Sequence, residues 1–241
     1  MKTYHPAGRY YVPSGLTGRY CRGGQLMSDS PPPHIPTLLK PLELIFNQAI
    51  KEYGPNHKAV AWKNEERQQR RFQIFAGLLS GVSGKDDYII NDLGCGYGAM
   101  FEAFKDLSEL RKGRYIGYDI SDEMVRTAKK RIPDSRTTFI QSYYATEEAD
   151  FSFVSGTYNM KLHQRDHIWQ DYVKESLKQL WSKTRAGLGF NMLSIQNPDR
   201  EKTLFYADPE YFYAFCRTNL SEKIRLVNRL EPEEFVILIM R

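Results

Sequence analysis

Cysteine is scarce and irregularly placed. Cys21, Cys95 and Cys216 are odd in number, far apart, and follow no metal-ligand spacing. A disulfide framework and a cysteine-built metal site are therefore excluded as organising features, and a reducing, cytoplasmic compartment is expected. No apolar run approaches the roughly 20 residues that a membrane helix needs. Residues 1–20, rich in Tyr, Gly and Pro, lack the continuous apolar stretch of a secretory signal. Charge of one sign is not in large excess either, at a net +5 from 34 basic and 29 acidic residues. The densest basic stretch, residues 58–71, interleaves Arg67, Arg70 and Arg71 with Glu65 and Glu66. That pattern reads as a solvated helix face, so neither a nucleic acid nor a membrane is expected as a partner.

What is present suits one α/β domain of 241 residues with an appendage. Residues 1–36 show no hydrophobic period, scatter five glycines and end in the triple proline Pro31-Pro32-Pro33. They are expected to be a flexible extension, and Met27 offers an alternative start. The domain then covers residues 37–241, with a helical cap over about 37–82 and a core over 87–241. Leu42, Ile45, Phe46 and Ile50 recur at helical spacing, and Phe72, Phe75 and Leu79 mark one face of a second helix over about 59–79. Beyond residue 84, strands and helices alternate. Strands are expected at 88–93, 114–120, 138–141, 150–155 and 187–193, with helices between them and a further helix at 209–219. Ser121 stands ready to cap one of these helices, with Asp122 and Glu123 in its first turn. The closing strands, 223–229 and 234–240, are too close for a crossover helix and must be antiparallel neighbours. The fold class is therefore α/β: a doubly wound, mostly parallel seven-stranded sheet with a reversed C-terminal strand.

The run Asp92-Leu93-Gly94-Cys95-Gly96-Tyr97-Gly98 is the strongest local signal. It ends a strand, turns through closely spaced glycines and opens a helix, so backbone can approach a ligand at the carboxyl edge of the sheet. Gly94, Gly96 and Ala99 also satisfy the dinucleotide pattern, and Asp119, about 20 residues on, would hold ribose hydroxyls in either case. Electrostatics separate the two cofactor classes. A pyrophosphate about 5 Å from Asp92 would cost roughly 3 kcal/mol per like-charge pair. A sulfonium and an ammonium would instead be attracted.

With these residues in hand, the chain resembles the class I S-adenosylmethionine-dependent methyltransferases over about residues 59–241. The resemblance rests on the glycine run at 92–98, the segment 115–121 with Asp119, the strand 150–156 and the terminal hairpin. It implies a Rossmann-like fold and S-adenosyl-L-methionine as cofactor. It also implies Asp92, Gly94, Cys95 and Gly96 as the loop beneath the methionine and ribose, and Asp119 and Ile120 as the ribose and adenine edge. Gln141 and Ser142 fall where many members place an adenine-binding Asp. Trp62 and Arg71, on the helix before the first strand, would cover the cofactor, with the arginine clasping its carboxylate. Cys95 reads as a small residue in a tight turn rather than a nucleophile.

Residues after the fourth strand, from Ser155, face the methyl group in this architecture. His163 is the candidate base, because imidazole titrates near neutrality, and Tyr158 a group to orient or deprotonate a hydroxyl. The stretch 197–213, with Phe205, Tyr206, Asp208, Tyr211 and Tyr213, is expected to close over the acceptor. Neither the Asn-Pro-Pro-Tyr nor the Pro-Cys motif of base-modifying enzymes is present. The chain also resembles small bacterial methyltransferases, some associated with surface-polysaccharide or secondary-metabolite gene clusters. The expected activity is methyl transfer to a hydroxyl or amine of a small molecule such as a sugar or secondary metabolite. The alternatives are an NAD-dependent oxidoreductase and a non-catalytic cofactor-binding module.

Overall fold

A computed structural model describes residues 35–60, 65–81, 85–227, 230 and 232–241. The expected extension and Trp62 lie outside the described residues. Helix α1 (Ile35–Tyr53) and a short 3-10 helix (His57–Val60) precede α2 (Glu65–Ser80). The core then runs β1 (Ile89–Leu93), α3 (Ala99–Phe104), β2 (Arg114–Asp119), α4 (Asp122–Arg131), β3 (Thr137–Gln141) and β4 (Ala149–Ser155). It continues through α5 (Asp166–Ser182), β5 (Thr184–Ser194), β6 (Tyr206–Ala207), α6 (Pro209–Asn219), β7 (Ile224–Val227) and β8 (Glu234–Met240).

Seven strands lie in the order β3-β2-β1-β4-β5-β8-β7. Strands β1 to β5 pair in parallel, and β8 runs antiparallel to both β5 and β7. The hairpin thus inserts its second strand next to β5 and leaves the first at the edge. The two-residue β6 pairs with the end of β5 at Leu193 and Ser194, a bridge too short for any period to announce.

Alternation along the strands feeds two cores. On β8, Val236 and Leu238 join Phe151, Phe153 and the apolar faces of α2, α3 and α4. Phe235, Ile237 and Ile239 point the other way, to Trp169, Val173, Leu177 and Phe212 on α5 and α6. Each fully buried side chain of this size contributes about 1.5–3 kcal/mol. Ser121 caps α4 as expected, its Oγ accepting from Met124 N at 3.0 Å. The same hydroxyl donates to Asn47 Oδ1 at 2.6 Å, which latches α1 across the carboxyl edge of the sheet. Leu42 and Ile50 of α1 are buried, whereas Ile45 is exposed, because only one side of this helix meets the domain. Among the described residues, no helix is long and apolar enough to cross a membrane.

Candidate active site

The turn after β1 is held by β2. Gly94 N and Cys95 N both donate to Tyr118 O, at 2.7 and 2.9 Å. Gly96 N donates to Asp119 Oδ2 at 2.9 Å, and Ser121 N to Oδ1 at 2.8 Å. One carboxylate therefore fastens the glycine turn to the start of α4. Gly94 has φ +78°, and a Cβ there would sit 2.0 Å from Thr157 Oγ1. Only glycine lets the turns after β1 and β4 approach so closely. Thr157 Oγ1 in turn donates to Leu93 O at 2.9 Å.

These turns line a cavity under α1 and α2. Asp92, Gly94, Cys95, Gly96, Asp119, Ile120, Ser142 and Ser155 all line it, which is most of the cofactor set expected from sequence. Phe46 and Val60, together with Gly156 and Thr157, also line a second cavity of about 280 Å³, so the two share a wall. The second is walled by Asn159, Met160, Leu193, Asn197, Leu204, Tyr206 and Glu234 among others.

Both buried carboxylates of the first cavity carry strained charge. Asp92 accepts a hydrogen bond from Tyr115 Oη. Burial nevertheless pushes it up to about 7, against the pull of that hydroxyl and with a push from the Asp119 charge. Burial likewise raises Asp119 to about 6, opposed by the N–H groups of Ser121 and Gly96. A cation arriving here relieves what burial costs. Affinity for a sulfonium ligand is accordingly expected to rise about tenfold or more between pH 5.5 and pH 8, as both groups ionise. Calorimetry in buffers of different ionisation heat should find proton release on binding at pH 6.5; a flat profile would show these groups to be uninvolved.

Four expected site residues fall elsewhere. Arg71 faces β8 instead of the cavity: it is fully buried and gives Nη1 to Glu234 Oε1 and Oε2 at 2.8 and 2.6 Å. Gln141 is exposed and donates to Ile120 O, because strand alternation turns it outward while Ser142 turns in. Tyr158 is completely buried, with its hydroxyl on Ser176 at 2.9 Å, and burial lifts its pKa well above the usual tyrosine value. It packs α5 and meets no acceptor. His163 is exposed and lines neither cavity. Its turn is pinned outward by Lys161 N and Leu162 N donating to Thr203 O. Trp62 is outside the described residues. Cys95 is buried and its thiol pKa lies far above the ordinary value, as a packing residue requires.

Sequence reasoning missed Gln68 and Glu234. Gln68 is nine-tenths buried, lines the first cavity and makes no hydrogen bond to another described residue. Its signal was a polar side chain four residues before Phe72, on the apolar face of α2. From the 197–213 stretch, Asn197, Asp199, Leu204 and Tyr206 reach the second cavity. Phe205 instead packs on Phe212, and Asp208 caps α6.

Residues 90–187 match the family model of the methyltransferase domain. A Mycobacterium tuberculosis protein named "Putative methyltransferase Rv1506c" is 35% identical over 164 residues, which are 66% of this chain and 97% of that one. The chain belongs to the class I S-adenosylmethionine-dependent methyltransferases. That membership sets aside the oxidoreductase and non-catalytic alternatives. The fold is shared with magnesium protoporphyrin IX methyltransferase of Synechocystis PCC 6803, a structure with bound S-adenosylhomocysteine. The two agree at a TM-score of 0.60 and 11% identity over 84% of this chain and 99% of that one. The plantazolicin methyltransferase BamL is likewise similar, at a TM-score of 0.54 and 16% identity over 86% and 99%.

Proposed function

We propose that this methyltransferase holds S-adenosylmethionine in the first cavity and methylates a hydroxyl or amine of a small molecule, a sugar or secondary metabolite, presented from the second. The observation that carries the reading is the wall the two cavities share at Gly156 and Thr157, beside two buried carboxylates. The residues present suit the cofactor. Gly94 and Gly96 present bare backbone on the cavity wall, and Asp119 faces where ribose hydroxyls would lie. Asp92 offers its charge to the ammonium and sulfonium, and Ile120, Ser142 and Tyr143 form the adenine edge.

Bound there, the cofactor would supply a methyl group on a sulfonium, for an acceptor oxygen or nitrogen to take while the S–CH3 electron pair stays with sulfur. The chain's own part is to align the two ligands and to shed water. No base is required of His163 or Tyr158, because a proton on the acceptor can leave to water. We assign the cofactor's amino-acid end to Gln68 in place of Arg71. The domain is taken as residues 37–241, working in a reducing cytoplasm; the buried, unpaired Cys95 and Cys216 suit that compartment.

Calorimetry tests the reading: wild-type protein should bind S-adenosylhomocysteine, and absence of binding would sink it. Gln68→Leu should weaken S-adenosylhomocysteine about tenfold, the worth of a hydrogen bond to a charged group. It should leave 5′-methylthioadenosine, which lacks the amino-acid end, unchanged. Equal losses for both ligands would move Gln68 out of that role.

A further inference from the structure

A buried polar chain joins the second cavity to the turn that it shares with the first. Arg71 holds both oxygens of Glu234, and Asn191 Nδ2 donates to Glu234 Oε2 at 3.0 Å. The other end of that amide, Asn191 Oδ1, accepts from Gly156 N at 2.9 Å. Glu234 thus reaches the cavity already oriented and tied to the backbone that separates the two ligands.

We propose that the second cavity selects a neutral compound carrying neighbouring hydroxyls, held between the Glu234 carboxylate and the amides of Asn159 and Asn197. This rests on the methyl-transfer reading above. The backbone fixes both amides. Asn159 Oδ1 accepts from Leu193 N at 3.1 Å, and Asn197 Oδ1 from Asp199 N at 2.9 Å. Each oxygen is thereby turned towards the backbone, and the NH2 groups make no hydrogen bond to other described residues. Both side chains line the cavity. Its wall therefore offers both amide donors and a carboxylate acceptor, and a hydroxyl is donor and acceptor at once.

Charged acceptors fit less well. The wall carries the carboxylates of Asp199, Glu233 and Glu234, and its Arg67 guanidinium is engaged by Glu233 at 2.9 Å. An anionic group would be repelled there. An amine would enter as ammonium and give up water against a Glu234 carboxylate whose charge Arg71 already balances, with its lone pair tied up by a proton. A hydroxyl keeps its lone pairs and merely donates to the carboxylate. Arg71 and Asn191 already supply three hydrogen bonds to Glu234, which makes it an orienting acceptor rather than a strong base. The volume of about 280 Å³ lies at the small end of ligand sites.

The test uses full-length, ¹⁵N-labelled protein saturated with S-adenosylhomocysteine. Three probes share one ring and differ in charge: methyl α-glucoside, glucose 6-phosphate and glucosamine. The reporters are the Asn159 and Asn197 side-chain NH2 signals, assigned from Asn159→Asp and Asn197→Asp. Each of these variants keeps an oxygen for its backbone N–H and swaps the cavity-facing donor for an acceptor. The neutral glycoside should move both signals at millimolar concentration, at least tenfold more tightly than either charged sugar. Asn159→Asp should weaken it at least tenfold, with S-adenosylhomocysteine affinity kept; Asn197→Asp repeats the measurement should the first variant not fold. Tighter binding of a charged sugar, no response to the glycoside, or full glycoside affinity in the variants would each overturn the proposal. Failure of the wild type to bind S-adenosylhomocysteine would instead refute the underlying reading.

Discussion

Methionine in place of Arg71 is expected to lower the unfolding free energy by about 3–5 kcal/mol, the cost of leaving one member of a buried ion pair alone. Arg71 is fully buried and the Glu234 side chain is 5% exposed, so water reaches the pair only at the cavity wall. Burial draws the guanidinium below its ordinary pKa, while the Glu234 charge and hydrogen bond pull it back. Without Arg71, the carboxylate keeps only Asn191 as a donor from the buried chain. Urea unfolding should therefore show a large fall in midpoint for Arg71→Met and for Glu234→Leu alone. The double variant should recover at least half of the loss, because two apolar side chains need no partner. Full recovery is not expected, as Asn191 Nδ2 would lose its carboxylate. A fall under about 1 kcal/mol would place the pair among solvated surface bridges, which are worth that little.

Surface pairs offer the contrast. Arg70–Glu66 and Arg126–Asp122 are helical i,i+4 pairs with both partners well exposed. Their loss should be almost silent in the same experiment. The sequence presents Arg67, Arg70 and Arg71 as one basic stretch, yet the fold gives them three different environments.

That contrast marks where the sequence ceased to be legible. The glycine turn could be read because its meaning is local: Gly94 needs φ +78°, and the chain around it alternates strand and helix. Ser121 could be read for the same reason, since a cap is decided within three residues. The reversed strand followed from a link too short to cross the sheet. Asp119 followed from its position at the end of a strand. Arg71 and Gln68 stand three apart, so helical spacing puts them close to one face and cannot say which meets the ligand. Packing against β8 decides it, through a partner 163 residues away. Asn191 and Glu234 sit inside strands whose apolar alternation hid them. His163 looked suited to proton transfer by its chemistry, but hydrogen bonds to Thr203, forty residues on, hold its turn away from both cavities. Local conformation was written in the sequence. Which polar side chains converge was written in the pairing of strands distant in the chain.

Asn in place of Asp119 should separate function from stability. The carboxylate accepts from Gly96 N and Ser121 N on different oxygens. An amide can satisfy one of these and sets an NH2 against the other, so the glycine turn loses part of its anchor. It also loses the charge that would accept from two ribose hydroxyls, a contact of roughly 1.5–3 kcal/mol. S-adenosylhomocysteine affinity is thus expected to fall on the order of 100-fold. The folded protein gains in another respect. An ionised carboxylate whose pKa lies near 6 rather than near 4 costs the fold about 3 kcal/mol at pH 8. The sign follows from the raised value. The cost is absent below the unfolded pKa, grows as pH climbs towards 6, and is complete above it. Removing the charge cancels that cost and so offsets the lost anchor. At pH 8 the ligand-free Asp119→Asn protein should unfold within about 1 kcal/mol of the wild type, or later. At pH 4, where the wild-type carboxyl is protonated and little of the penalty remains, the variant should be the less stable of the two. Denaturant titrations at the two pH values, with calorimetry alongside, read both effects. Stability that falls equally at both pH values, with affinity intact, would make Asp119 a scaffold residue only.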